Sequence, residues 1–393
     1  MEVFFMNIGL FTDTYFPQIS GVATSIQTLK NALEEQGHSV FIFTTTDPHL
    51  AKGIVEPNVF RLSSVPFISF TDRRIAFRGL FQATKIAKEV KLDVVHTQTE
   101  FSMGAIGKYV AHNLKIPAIH TYHTMYQDYL HYILNGHLLK PYHVKQFCRA
   151  YLHNMEGVIA PSLRVKDTLR GYGVKIPLKV IPTGVDLKGI NETPKRDVRK
   201  DLGLKKNDKI LLTLSRIAPE KKINNLLDIF PIIKEKHPTV KLVVVGDGPD
   251  LKNLKNKVKD MKLEDSVLFT GSVEHSDVGN YYAMADLFVS ASDTETQGLT
   301  YIEAMAAGTP SIVYDTEYTE QIFNHRELGA VFNSQQQMVE LIDKYLNKVP
   351  FKIPNKLLEE KLEEVSAATF AKNVVNFYQE AINKLSTTEV LND

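Results

Sequence analysis

Two successive series of short apolar runs alternating with helical periods constrain this chain more than any other feature. The first series is Phe4–Phe11, Val40–Thr44, Leu92–His96, Ala118–His120, Val158–Ala160 and Lys179–Ile181, with helical periods such as Ser25–Gln36, Ile75–Val90 and Met103–Asn113 between them. The second is Ile210–Leu214, Val240–Val245, Val267–Phe269, Leu287–Ser290, Ser311–Tyr314 and Ala330–Phe332. Buried runs this short, separated by helices, predict parallel sheets covered by helices. At 393 residues the chain exceeds one ordinary core, so each series predicts its own domain. The polar, charged stretch Asn191–Lys206 reads as the linker, and a cleft is expected where strand ends of the two domains face each other.

Ligands of such sheets sit at the carboxyl ends of the strands, which selects the loops to read. After Leu287–Ser290 comes a polar turn with Asp293, Thr294 and Glu295. Gly298 follows, then a helix of small and apolar residues ended by Gly308-Thr309-Pro310. Gly298, Leu299 and Thr300 offer free amides at the positive end of that helix, and Glu295 and Glu303 flank them. Amides for a phosphate and carboxylates for hydroxyls suit a phosphorylated sugar. After Ile210–Leu214, Arg216 and Lys221 can reach a diphosphate, one as a fork and the other as a point charge. Gly246 and Gly248 form a turn that admits a close ligand, and Val273 can offer backbone groups to a base. In the first half, Gly21 opens a helix after a long polar turn. That turn is not a GxGxxG fingerprint, which argues against a nicotinamide dinucleotide. His120 and His123 end a strand and are substrate candidates. With His131 and His137 they lack an accompanying carboxylate pattern, so no zinc site is expected.

The formal charge is only +1, which argues against a nucleic-acid partner. Residues 1–186 nevertheless carry 19 basic and 14 acidic residues, the remainder 27 and 31. A single cysteine, Cys148, excludes an internal disulfide and fits a reducing cytoplasm. The apolar start carries Glu2 and reads as a strand rather than a signal peptide. A helical projection from Arg74 onward puts Ala76, Leu80, Ala83 and Ala87 on one face. Arg74, Arg78, Lys85 and Lys88 fall on the other, beside Phe77 and Phe81. Aromatics among cations on an outer face predict contact with an anionic membrane surface. Tyr129–Tyr151 is a second such segment.

SRIAPEKKI, VVGDGP, LFTGSV and ETQGLTYIEAMAAGTP together resemble glycosyltransferase family 4, the retaining GT-B enzymes, with Glu295 and Glu303 matching the E-x7-E motif. The likeness extends to TDTYFPQISGVATSI and IPTGVD. It implies an α/β fold of two Rossmann-like domains, residues 1–187 and 188–367, with parallel sheets facing a central cleft. A final helix, about 368–393, is implied to cross back to the first domain; Phe370–Leu385 is the candidate. It further implies that Arg216 and Lys221 bind the diphosphate, Glu295 the sugar hydroxyls and Glu303 the ribose. Amides of Gly298, Leu299 and Thr300 are implied to serve the phosphate, with Gly21 near it and His123 at the sugar. No cofactor and no divalent metal is expected. HTYHTMYQDYLHYILNGHLLKP and TDTYFPQISGVATSI resemble the lipid-glucosylating branch of Gram-positive bacteria, implying UDP-glucose and diacylglycerol as substrates at the cytoplasmic face of the membrane. Asp13, Tyr15 and Tyr126 lie in those stretches and join Arg74, Phe77, Arg78 and Phe81 as acceptor-side candidates. Another lipid acceptor, or a GT-B protein that only binds, remains the alternative, and homo-oligomerisation stays open.

Overall fold

The computed structural model describes residues 5–18, 20–48, 50, 56–67, 70–76, 79–126, 141–185, 187, 190, 196–295, 298–348 and 353–390. The chain divides into two compact units, Met1–Gly184 with Ala367–Asp393, and Val185–Ser366.

The first unit runs β1 (Asn7–Phe11), α1 (Gly21–Glu35), β2 (Ser39–Thr45), β3 (Val59–Leu62), β4 (Ser64–Phe67), β5 (Phe70–Ala76), α2 (Leu80–Glu89), β6 (Val94–Thr97), α3 (Ser102–Leu114), β7 (Ala118–Thr121), α4 (Pro141–Leu152), β8 (Gly157–Ala160), α5 (Leu163–Gly171) and β9 (Leu178–Val180). Its seven-stranded sheet has the order β3-β2-β1-β6-β7-β8-β9, parallel throughout. The order reverses between β1 and β6, so the loops after these two strands diverge and leave a crevice at their carboxyl ends. One face of the sheet buries Phe11 on Phe43, stacked at 4.3 Å.

The second unit runs α6 (Val198–Asp201), β10 (Lys209–Leu214), α7 (Ile223–Lys236), β11 (Val240–Val245), α8 (Leu251–Asp260), β12 (Val267–Gly271), α9 (Val278–Met284), β13 (Leu287–Ser290), α10 (Leu299–Ala306), β14 (Ser311–Tyr314), α11 (Glu317–Ile322), β15 (Gly329–Phe332), α12 (Gln335–Leu346) and α13 (Asn355–Glu364). Its six strands are ordered β12-β11-β10-β13-β14-β15 and are all parallel. The switch point lies between β10 and β13. Both sheet faces are covered, one by α7 and α12 and the other by α9 and α10.

The last helix, α14 (Ala367–Val390), belongs to the first unit. Phe370, Ala371, Val374, Phe377, Tyr378 and Ala381, an i, i+3, i+4 stripe, are buried with Ile26, Leu29 and Leu33 of α1. Tyr378 also reaches the sheet, its hydroxyl 2.6 Å from His96 Nδ1 on β6.

The segment expected to project as one helix from Arg74 is two structures. Strands β4 and β5 pair antiparallel, Pro66 with Arg74 and Val65 with Ile75; the helix starts only at Leu80. The β-branched and aromatic residues Val65, Phe67, Phe70, Thr71 and Ile75 favour extended chain. Gly79, at φ +131 and tight against Leu62, then turns the backbone into α2. Arg74 therefore does not share a helical face with Lys85 and Lys88; its guanidinium donates to Ser64 Oγ and O at 2.9 and 2.7 Å. Phe77, Arg78, His131, His137 and most of Tyr129–Tyr151 lie outside the described residues. Among the described residues, no helix is long and apolar enough to cross a membrane.

Candidate functional site

In the second unit, the loops after β10 and β13 emerge side by side at the switch point and are laced together. Beyond Leu214, Arg216 is exposed, and Pro219 starts a short 3-10 turn ending at Lys221. Lys222 follows in the left-handed region at φ 50 and leads into α7. Lys221 Nζ lies 2.5 Å from Glu295 Oε1, Lys222 Nζ pairs with Asp293 Oδ2, and Ser292 Oγ donates to Glu220 O at 3.3 Å. The lysines thus face carboxylates from the neighbouring loop. A diphosphate entering here would compete for Lys221 while Glu295 is released toward hydroxyls.

Gly298 precedes α10 at φ 63, ψ 64, and no side chain caps this end. The Tyr301 amide is used, donating to Gly298 O at 2.9 Å. Leu299 and Thr300, both half-buried, stand at the positive end of the helix. Glu303 is one turn further, 8% exposed, and accepts a 2.8 Å hydrogen bond from the Tyr282 hydroxyl. Burial and the carboxylate beside it push the Tyr282 phenol well above its ordinary range, so it stays a donor.

The fold itself requires glycine at positions 246 and 248. A Cβ on Gly246 would stand 1.9 Å from Ser215 O, and one on Gly248 2.2 Å from Ile217 O. The close approach is by the β10 loop itself. Ser215 N–H donates to Val245 O at 3.1 Å and Ile217 N–H to Asp247 O at 2.9 Å. These bonds fix the backbone on both sides of Arg216. Val273 is half-buried and packs on the α9–α10 side of the sheet.

The first unit gathers a polar network at its own switch point. Asp13, after β1, is 5% exposed. Its carboxylate accepts from Thr99 Oγ1 at 2.7 Å, from Ser102 Oγ, and from the Met103 amide at 3.1 Å. It therefore caps α3 and ties the two crevice loops together. Burial raises its pKa, and the hydrogen bonds from Ser102 and Thr99 reduce the rise without cancelling it. Tyr15 is core, its hydroxyl donating to Gln27 at 2.6 Å. Tyr126 donates to Glu100 Oε2, and Glu100 Oε1 is 3.1 Å from His120 Nε2. His120 Nδ1 bonds Thr97 at 2.9 Å, while His123 Nε2 lies 2.7 Å from Gln98 Oε1. Gly21 is exposed at the first position of α1 and has open space around it. The fold places no demand for glycine there.

Gln98, Thr99 and Glu100 were missed in the sequence although they directly follow a recognised strand, the same signal that selected the other loops. Asp293 stands in the sequence reading without a role, and Lys222 is not singled out there. Among the described residues, no three His, Cys, Asp or Glu side chains converge as a metal site would require.

Burial, with His120 as a smaller cause, holds His123 down to about 3, and burial accounts for most of the lowering at fully buried His96. His38 is lowered in the same way. Between their folded and ordinary pKa values the unfolded chain binds the extra protons, so these groups contribute stability above about pH 6.5 that is lost as pH falls. His123 alone should cost about 2 kcal/mol at pH 5. Asp13, with a raised pKa, opposes them with one proton at lower pH. Urea midpoints should be level above neutrality and fall steadily below pH 6.5; a midpoint unchanged down to pH 5 would contradict this.

Two doubly wound parallel sheets, one with paired cations, a glycine-led helix start and carboxylates at its switch point, form the two Rossmann-like domains of the GT-B fold. Residues 19–188 match the Glycosyltransferase Family 4 model and residues 194–363 the model for Glycosyl transferases group 1. The chain belongs to glycosyltransferase family 4. It is 47% identical over 382 residues to an alpha-monoglucosyldiacylglycerol synthase of Streptococcus pneumoniae, covering 96% of this chain and 86% of that protein. A protein of the same description from Acholeplasma laidlawii is 32% identical over 394 residues, covering 96% and 98%. Among solved structures, HepE of Anabaena in complex with UDP superposes with TM-score 0.76 at 17% identity, over 95% of this chain and all of that one. A sucrose-phosphate synthase from Thermosynechococcus elongatus gives 0.76 at 22% identity, over 96% and 100%.

Proposed function

We propose that this enzyme transfers glucose from UDP-glucose to diacylglycerol with retention of configuration, giving α-monoglucosyl-diacylglycerol, a glycolipid suited to anchor lipoteichoic acid. The observation that carries this reading is near full-length likeness to two alpha-monoglucosyldiacylglycerol synthases, 47% and 32% identical.

In this scheme Arg216, Lys221 and the amides of Gly298, Leu299 and Thr300 hold the diphosphate and stabilise the charge that grows on it. Glu295 holds sugar hydroxyls and Glu303 the ribose. The C1–O bond to UDP breaks, the acceptor oxygen bonds C1 on the same face, and a leaving-phosphate oxygen takes the acceptor's proton. The protein's own cations and helix dipole supply the positive charge, so the scheme includes neither cofactor nor divalent metal.

Diacylglycerol resides in a membrane, and α2 has a face to meet one at the cytoplasmic side. Phe81 is 84% exposed. Lys85, one turn on, is 78% exposed and 3.9 Å from Glu89, and Lys88 continues the face. Burying one phenyl ring contributes about 1.5–3 kcal/mol. Phe81→Ala should therefore weaken flotation with anionic vesicles by about tenfold or more while leaving the melting temperature unchanged. The activity itself is tested by incubating the full chain with radiolabelled UDP-glucose and vesicles containing diacylglycerol. The expected product is labelled monoglucosyl-diacylglycerol with an α linkage. Label on a different lipid only, or a β linkage, would overturn the proposal.

A further inference from the structure

Gln98 holds unmet hydrogen-bonding capacity at the carboxyl edge of the first sheet. Its backbone N–H donates to Phe11 O at 2.8 Å, which pins it between β1 and β6. The residue is 2% exposed. Its Oε1 is 2.7 Å from His123 Nε2, and its own Nε2 is buried without a hydrogen-bond partner. Buried polar atoms are nearly always paired, so an orphaned N–H₂ group marks a place for an acceptor from outside the protein, an ordered water or a ligand oxygen that displaces it.

The three histidines of this edge differ in one respect. His96 bonds Tyr378 through Nδ1 and Thr121 through Nε2. His120 bonds Thr97 and Glu100. His123 bonds Gln98 through Nε2, and among the described residues its Nδ1 has no partner.

We propose that Gln98 is a positioning residue that holds His123 as the Nε2–H tautomer. Nδ1 then presents its lone pair to an alcohol hydroxyl of a substrate, and the Gln98 amide N–H₂ donates to a second substrate oxygen nearby. A carboxamide oxygen only accepts, so the shared proton belongs to His123 Nε2, and a neutral imidazole carries no second one. Burial keeps the ring neutral. A polyol offers both a hydroxyl proton for Nδ1 and a lone pair for the amide. A phosphate, lacking a proton to give, would face the Nδ1 lone pair unfavourably. The ligand class is thus an alcohol, either the transferred hexose or the free hydroxyl of the acceptor glycerol. The inference deepens the glucosyl-transfer reading and rests on it.

The test joins spectroscopy to kinetics on the full chain. With ¹⁵N-labelled histidine, wild-type His123 should show the Nε2–H tautomer. Gln98→Leu should show a mixture, with kcat/KM lower by about ten- to hundredfold and UDP affinity unchanged. Gln98→Glu retains an acceptor oxygen but no N–H, so it should keep the tautomer and lose part of the rate. It also serves if the leucine variant does not fold. A KM increase confined to UDP-glucose assigns the hexose, and one confined to diacylglycerol assigns the glycerol hydroxyl. An Nδ1–H tautomer in the wild type overturns the proposal, as does either variant retaining kcat/KM within about twofold. If the wild type makes no glucolipid, the transfer reading fails, yet the tautomer still decides the Gln98–His123 relationship.

Discussion

Lys221→Ala is expected to lower kcat by about 10²–10³, the loss typical of one electrostatic donor at a transition state. The argument starts from position. Lys221 ends the 3-10 turn that follows β10, and its ammonium is held by Glu295 at 2.5 Å from the adjacent loop. Both side chains remain partly open, at 21% and 24%. An exposed pair of this kind contributes about 0–1 kcal/mol to folding, so the variant should fold with nearly the wild-type urea midpoint. The loss should appear in kcat more than in UDP affinity, because charge on the diphosphate grows as the glycosidic bond breaks. Glu295→Gln gives the complementary case. It frees Lys221 from its partner and removes a carboxylate from the hydroxyls, so KM for UDP-glucose should rise. Near-normal turnover in Lys221→Ala, at a preserved midpoint, would remove this lysine from the mechanism.

The sheets were legible because parallel strands buried on both faces read as uninterrupted apolar runs. All six strands of the second unit coincide with such runs, from Ile210–Leu214 to Ala330–Phe332. Four-residue β3 escaped, being too short for its composition to stand out. The end of β5, from Arg74 to Ala76, reads as helix in the sequence because Ala76, Leu80, Ala83 and Ala87 happen to recur at helical spacing, although Gly79 speaks against one continuous helix. The site was legible where a rule about place was available. Arg216, Lys221, Glu295 and Gly298 all follow strands at the carboxyl edge. What stayed hidden was pairing. Nothing in the string joins Lys222 to Asp293, 71 positions away, or Asp13 to Ser102, 89 positions away. Burial stayed hidden as well: Tyr15 lies in a stretch whose family likeness makes it an acceptor-side candidate, and its ring is in the core.

Gly246→Ala should be as damaging to turnover as Arg216→Ala, although residue 246 need touch no substrate. Gly246 has φ +132, a region reserved for glycine, and its added methyl would sit 1.9 Å from Ser215 O and 3.1 Å from Ser215 C. Backbone cannot rotate aside as a side chain can. Ser215 is held by its N–H bond to Val245 O, and Ile217 by bonds to Asp247 O and from Asp250 N–H. Relief therefore means displacing the Ser215–Ile217 segment, and Arg216 moves with it. Misplacing a charge-stabilising group by about 1 Å costs on the order of 10²-fold. Broken hydrogen bonds and strain should add a stability loss of about 2–4 kcal/mol. Gly308→Ala separates strain from collision. Gly308 also has positive φ, +78, but nothing lies within 4 Å of where its added methyl would stand, so only about 1–2 kcal/mol of left-handed strain is expected. Its turnover per folded molecule should stay near wild type. If Gly246→Ala matched Gly308→Ala in both midpoint and turnover, the β11 turn would not be what sets Arg216 in place.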